Sequence, residues 1–393
     1  MSDRPVIRNL HGRTLRLLSV LFIGLTGMVG TTTLVVAMGA SPAGAIPAIP
    51  TCFYNTYVSV SSGAQLETDL NDLCTTIYVP SGTYTYPTNF TIGGDRSVTV
   101  IGAAKNTTIL KAGPGTVFNY SGGATVTLSR LTITGGSNTV NNSAGGVANT
   151  GTGSLILSDV KVTGNSDSAG GGLSAAGVYN GHNDGPNSAS MTITDGSSVD
   201  SNLATGEYCT GGILNNGGTL TIENSSVRWN TCTGLEGTGG IGNGNGGTLN
   251  ISQSSIEINR ATDEGYGGGI WNDSTLVITD GVTVSGNYAE CYGGGLMDAL
   301  PPSYVVQAHI TGGTFIDNQS EYGGGIFLQA GPIYLTSSIV TVNSSDSQGG
   351  AGIYENAGDG TSLTSTSSWV LLNIPDNIFT GGIAYPNPAE CNP

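Results

Sequence analysis

The sequence predicts an all-β fold: a parallel β-helix, a solenoid of about ten coils with three short strands per coil, covered at its start by a short N-terminal helical cap. Three observations predict it. First, an apolar residue is followed three positions later by asparagine eight times, at Val162/Asn165, Val199/Asn202, Val227/Asn230, Ile256/Asn259, Val284/Asn287, Phe315/Asn318, Val340/Asn343 and Val370/Asn373. The asparagines are spaced by 37, 28, 29, 28, 31, 25 and 30 residues. Second, glycine, usually doubled, precedes an aliphatic residue at Val147, Val178, Ile213, Ile241, Ile270, Leu296, Ile326, Ile353 and Ile383. Third, each unit carries a short alternating apolar stretch, as in Thr219-Leu220-Thr221-Ile222. No unit holds a long 3.6-residue apolar period, which excludes helices as the repeating element.

A strand of four or five residues has no core of its own. Three such strands joined by turns make one coil, and stacked coils bury a continuous apolar interior. Stacking brings equivalent residues about 4.8 Å apart. An asparagine at the same corner of every coil then hydrogen-bonds to its copies above and below, which satisfies a buried amide. Glycine suits a bend that needs positive φ, or a place where coils pack too closely for a Cβ.

The chain divides into four parts. In residues 1–45, Arg4, Arg8, Arg13 and Arg16 precede an uncharged apolar run from Leu17 to Met38, and Ala43-Gly44-Ala45 follows. This is the pattern of a secretory signal peptide cleaved after Ala45. An uncleaved anchor is the other reading of the same run, and both place the remainder outside the cell. Residues 46–95 are expected to form the N-terminal cap and first coil. Within them Leu66, Leu70 and Leu73 of Gly63–Cys74 fall at helical spacing. Residues 96–383 hold the β-helix repeats, and residues 384–393 a proline-rich tail.

Composition narrows the partners. The 393 residues carry a net charge of −16 although only 10% are charged. Beyond residue 45, 7 basic residues face 26 acidic ones, a net charge of −19. That disfavours nucleic acid and anionic lipid. All six cysteines lie beyond the leader, as in a disulfide-bonded exported protein. Cys52–Cys74 would staple the cap, Cys209 and Cys232 occupy the same loop of adjacent coils, and Cys291 is left for Cys391. There is no C-x-x-C pair, and only His182 and His309 lie beyond the leader, so no zinc site is expected.

The segment FIDNQSEYGGGI (Phe315–Ile326) resembles the repeat of the polymorphic outer-membrane proteins, marked by Phe-x-x-Asn and a Gly-Gly-Ala-Ile-like step. The resemblance covers the chain from about Ile133 to Ile383. The preceding IYVPSGTYTY, SVTVIGAAKNTTIL and VTLSRLTITGG resemble the opening coils of the pectin-lyase-like superfamily. This resemblance implies a right-handed parallel β-helix and a secreted or cell-surface location. The superfamily includes adhesins, polysaccharide lyases and hydrolases, and phage tailspikes, so fold leaves function open. Its autotransported members end in a membrane β-barrel. No barrel strands follow Ile383, so no membrane insertion is expected after the leader is removed.

A lyase needs a base and cations to neutralise a uronate. Beyond the leader the cations are Arg96, Lys105, Lys111, Arg130, Lys161, Arg228 and Arg260. Only Arg228 and Arg260 lie in adjacent well-formed coils, and in different register. The Asp-Asp, Asn-Thr-Asp and Gly-His-Gly signatures of polygalacturonase relatives are absent. His182 and Asp184 sit in the one long insertion, Asn180–Asn187, where a solvated loop is the plainer account. The expectation is an exported, non-enzymatic, adhesin-like module that binds an extracellular polysaccharide or other cell-surface component. The alternative is a polysaccharide lyase or glycoside hydrolase.

The residue after each glycine-aliphatic mark should point away from the core. The set Tyr179, Leu214, Gly242, Trp271, Met297, Phe327 and Tyr354 thus predicts an apolar and aromatic stripe on one sheet. Its members Tyr179, Trp271, Met297, Phe327 and Tyr354 are the candidate binding residues, since aromatic stripes bind sugar rings or partner proteins. The same residues would instead shield the sheet if they stack on each other, or face inward if the register slips by one. Glu207, Glu264, Glu290 and Glu321 recur in the turn before the glycines, beside Tyr266, Tyr292 and Tyr322. Stacked carboxylates repel unless they splay or take up a cation. Calcium is the candidate, solvated loop charge is the simpler reading, and no other cofactor is expected.

Overall fold

The computed structural model describes residues 57–72, 75–169, 173–182, 187–299, 307–346, 350–356 and 361–381, all within one unit spanning Ala48–Pro393. Four long parallel sheets run along the coils, with 12, 11, 8 and 11 strands, and Ser174–Ala175 pairs with Cys209–Thr210 as a fifth, two-stranded one. One coil shows the order: Thr219–Glu223 in sheet I, Ser226–Arg228 in sheet II, Thr231–Thr233 in sheet III and Ile241–Gly244 in sheet IV. Thr248–Ser252 then begins the next coil and pairs with Thr219–Glu223 in register. Sheet III is a fourth strand beyond the three expected. Its strands are two or three residues long, too short to show alternation in the sequence.

Side-chain alternation sets the core. In Thr248–Ser252, Leu249 and Ile251 turn inward and the intervening residues outward. Inward residues of sheets I, II and IV stack with their copies into one continuous core cluster from Val58 to Ile353. The cap forms as α1, Gly63–Asn71, with Ser62 Oγ accepting from Gln65 N and with Leu66 and Leu70 buried. Leu73 lies outside the described residues.

The asparagine ladder is continuous. Asn202 Nδ2 donates to Asn230 Oδ1 at 2.9 Å, Asn230 to Asn259 at 3.0 Å, and Asn259 to Asn287 at 3.0 Å. Each Oδ1 also accepts the backbone N–H of the preceding asparagine, as Asn259 does from Asn230 at 3.1 Å. Each Nδ2 also reaches a backbone carbonyl one coil back, as Asn230 reaches Val199 at 2.9 Å. No amide atom of the column is left unpaired, so the interior tolerates it. At the last coil Asn373 Nδ2 donates to Asn377 Oδ1 at 3.1 Å, which closes the column.

The glycine triplet has two separate reasons. Gly323 adopts φ +65°, the left-handed region. A Cβ on Gly325 would lie 2.5 Å from the Gly352 carbonyl oxygen of the next coil and 2.9 Å from Asn343 Nδ2. The first glycine makes the bend and the last admits the neighbouring coil and the ladder.

Cys209 and Cys232 form the expected disulfide across adjacent coils, with Cα atoms 5.9 Å apart. Cys52, Cys74 and Cys391, on which the other two expected pairings depend, lie outside the described residues.

Candidate functional site

The outer face of sheet IV carries the stripe the sequence predicts, with one correction. Outward residues stack in register from Ala148 through Tyr179, Leu214, Gly242, Trp271, Met297, Phe327 and Tyr354 to Phe379. They leave the main core, yet Tyr179, Met297, Phe327 and Tyr354 are each at most 3% exposed. The stripe is covered rather than open.

The cover is the turn before each glycine pair. It folds back over sheet IV and lays Tyr266, Tyr292 and Tyr322 on the outward column, forming a second apolar cluster. Gly267, at φ +61°, makes the fold-back tight: a Cβ there would meet the Trp271 Cβ at 2.8 Å. Ring centroids lie 4.7 Å apart for Tyr292–Phe327, 5.2 Å for Phe327–Tyr354 and 5.2 Å for Tyr354–Phe379. Such offset and tilted ring pairs stabilise beyond the area they bury, by about 0.5–1.5 kcal/mol each. Of the five candidate binding residues, only Trp271 keeps partial exposure.

The stacking breaks at Gly242. It has no side chain between Leu214 below and Trp271 above. A Cβ at Gly242 would meet Leu214 Cδ1 at 3.1 Å, Thr210 Oγ1 at 3.2 Å and Trp271 Cε3 at 3.9 Å. These side chains converge on a notch of about 200 Å³. Tyr208, Glu236 and Tyr266 also line it, together with Thr238, Met297 and Gln329. Tyr208 is held beside the Cys209–Cys232 disulfide and is 42% exposed.

Three lining residues are polar and almost fully buried: Thr210, Thr238 and Gln329. Their side chains make no hydrogen bond among the described residues, and their polar atoms are not among the fully buried unpaired ones, so they remain open to a ligand. Among the described residues of the lining, Glu236 is the only charged one. Burial raises its carboxyl pKa, and the neighbouring Glu207 and Glu264 raise it further. The notch therefore combines aromatic faces, an apolar floor, three uncommitted polar groups and one carboxyl.

No known protein family, characterised protein or solved structure matches the chain.

The remaining candidates separate. Arg228 ends a sheet II strand and its guanidinium lies 4.4 Å from the Trp229 ring centroid. Arg260 opens a sheet III strand and lies 4.6 Å from the Tyr288 centroid. The two face different sheets and do not form a cation pair. His182 Nδ1 contacts the Thr150 carbonyl at 2.7 Å, and Asp184 lies outside the described residues. Glu290 is drawn toward the backbone, its Oε2 accepting from Glu264 N at 3.0 Å. Among the described residues no three His, Cys, Asp or Glu side chains cluster so as to hold a metal ion.

A second column escaped the sequence reading. Asn149, Asn180, Asn215, Asn243 and Asn272 are linked by side-chain hydrogen bonds of 2.8 Å along sheet IV. The signal was present: each stands two residues after a glycine-aliphatic mark, on the inward side of the same strand.

Proposed function

We propose that this chain is an exported, non-enzymatic β-helix of the pectin-lyase-like kind that binds an extracellular glycan by taking one sugar ring into the Gly242 notch. Its repeats are read as relatives of those in polymorphic outer-membrane proteins, its first 45 residues as a leader, and its site of action as the cell surface or the medium. The observation that carries the reading is the meeting of aromatic faces with uncommitted hydrogen-bonding groups. Trp271 and Tyr208 offer faces to the C–H side of a pyranose. Thr210, Thr238 and Gln329 supply the few placed polar groups that orient a ligand in an apolar pocket. A volume of about 200 Å³ is below the roughly 300–1,000 Å³ of sites for drug-sized ligands, so it suits a single ring of a longer chain.

Retention on a panel of immobilised polysaccharides tests this. The wild-type protein should be retained on at least one, and Trp271→Ala should reduce that retention at least tenfold. Trp369→Ala, which removes an exposed tryptophan far from the notch, should leave it unchanged. Equal losses in both variants, or no retention on any member, would refute the reading.

Glu236 supports a second reading, a glycoside hydrolase. A carboxyl raised by burial is the usual general acid of such enzymes, and Glu207 or Glu264 would be the partner carboxylate. Release of reducing ends by the wild type, abolished in Glu236→Gln, would decide for it. A lyase finds less support, since no lysine or arginine lines the notch among the described residues.

A further inference from the structure

We infer that the notch selects a cationic sugar, a pyranose bearing a free protonated amine, over its N-acylated or uronic counterparts. The inference rests on reading the notch as a sugar site. Among the described residues Glu236 is its one charge, and no cation lines it to offset that charge or to receive a carboxylate. Glu207 and Glu264 stand near enough to add to the same negative field. Arg228 and Arg260 are engaged elsewhere, against Trp229 and Tyr288.

The walls favour the same charge. Tyr208, Tyr266 and Trp271 border the notch. An ammonium close to aromatic faces is attracted by their quadrupoles, most strongly where water is excluded. An ammonium against Glu236 would form a charge-assisted hydrogen bond, about twice as strong as a neutral one. A uronate would instead meet like charge. An N-acyl group would remove the ammonium and add bulk to a cavity with room for about one ring. Thr210, Thr238 and Gln329 remain for the ring hydroxyls, so each uncommitted polar group has a role.

The chain is acidic overall, so any polycation will be drawn to it non-specifically. The experiment therefore uses short ligands at physiological ionic strength and a matched charge control. Titration calorimetry would compare a glucosamine trimer with the N-acetylglucosamine trimer. The free amine should bind at least tenfold more tightly. Glu236→Gln should erase the difference by weakening only the free-amine ligand. Glu257→Gln, which removes one charge from sheet II outside the notch, should change neither affinity. Equal or tighter binding of the N-acetylated trimer would overturn the charge selection and leave the sugar site standing. Binding of neither trimer, nor of any neutral or acidic oligosaccharide, would overturn the sugar site as well. A loss in Glu257→Gln as large as in Glu236→Gln would also overturn the inference, since the attraction would then be non-specific.

Discussion

Asn272 Nδ2 donates to Asp298 Oδ1 at 2.6 Å, and there the inner column of sheet IV changes from amide to carboxyl. The next coil places Leu328 at that position. Asp298 Oδ2 is buried with no hydrogen-bond partner among the described residues. Burial raises the Asp298 pKa well above its ordinary value, against the opposing hydrogen bond from Asn272. The folded protein thus holds this proton more tightly than the unfolded chain. Stability from Asp298 is full below about pH 4, the unfolded value, and declines as pH rises through the folded one. Asp298→Asn should remove that decline. In urea titrations its midpoint should exceed the wild type's at pH 8 and match it near pH 4. Asp167 and Asp273, each raised by burial to about 6, should leave a shallower fall in both proteins between pH 4 and 6. A midpoint at pH 8 below the wild type's would refute the assignment.

In the asparagine ladder, the cost of losing one member depends on its position. Asn259 Oδ1 accepts both the backbone N–H and the Nδ2 of Asn230. Asn259→Ala therefore orphans two buried donors of Asn230, while Asn287 Oδ1 loses one of its two donors and keeps the backbone N–H of residue 259. At about 1–3 kcal/mol for each buried unsatisfied group, the loss should be about 3–5 kcal/mol. Asn373→Ala orphans the corresponding two donors of Asn343, but Asn373 lies in the last described coil and is itself 6% exposed, so water can reach the freed groups and the cost should be smaller than for Asn259→Ala. Thermal unfolding of the two variants side by side checks the order, and equal costs would show that the ladder does not support the coil.

The ladder and the coils were legible because both depend on a repeat that the chain writes at fixed spacing. Val227 and Asn230 recur one coil later as Ile256 and Asn259, so stacking follows from sequence alone. The covered stripe was not legible. Its residues point outward as the pleat requires, but Tyr292 reaches Phe327 only because the intervening turn folds back, and no local pattern encodes that path. The notch was harder still. It is made by an absence, the missing side chain of Gly242, in a sequence where glycine usually marks a bend or a close approach. Its polar lining, Thr210, Thr238 and Gln329, comes from three different coils and shares no motif. The inner asparagine column is readable from Asn215, Asn243 and Asn272, each one residue beyond the outward position of its sheet IV strand.

The corner before each ladder asparagine is left-handed. Glycine takes it at Gly164 and Gly286, with φ +62° at both, but Ile258 takes it at φ +54° and Val342 at +58°. A β-branched residue in that region is a genuine outlier and costs roughly 1–2 kcal/mol. Ile258 is 48% exposed, so its side chain returns little burial. Asparagine tolerates the conformation, as Asn224 and Asn245 do here at φ +45° and +55°. Ile258→Asn should raise stability by about 0.5–1 kcal/mol, read as a higher thermal midpoint. A lower midpoint would mean that the exposed isoleucine packs better than its accessibility indicates.

Gly242 offers the most direct control on the notch. A leucine there would project from the outer face of sheet IV into the space bounded by Leu214, Thr210 and Trp271. Its Cβ contacts, 3.1 Å to Leu214 Cδ1 and 3.2 Å to Thr210 Oγ1, are tight but fall on side-chain atoms rather than on backbone. The fold should accept Gly242→Leu at a cost of about 1–3 kcal/mol, the usual range for overpacking. The β-rich far-ultraviolet spectrum should persist, because the backbone ladder from Ile241 to Ile270 is untouched. Glycan binding should fall at least tenfold, since the plug fills the volume without removing any lining group. This separates shape from chemistry: Trp271→Ala deletes a contact, whereas Gly242→Leu deletes only the space. Unchanged binding in a folded Gly242→Leu protein would place the ligand elsewhere on the coils.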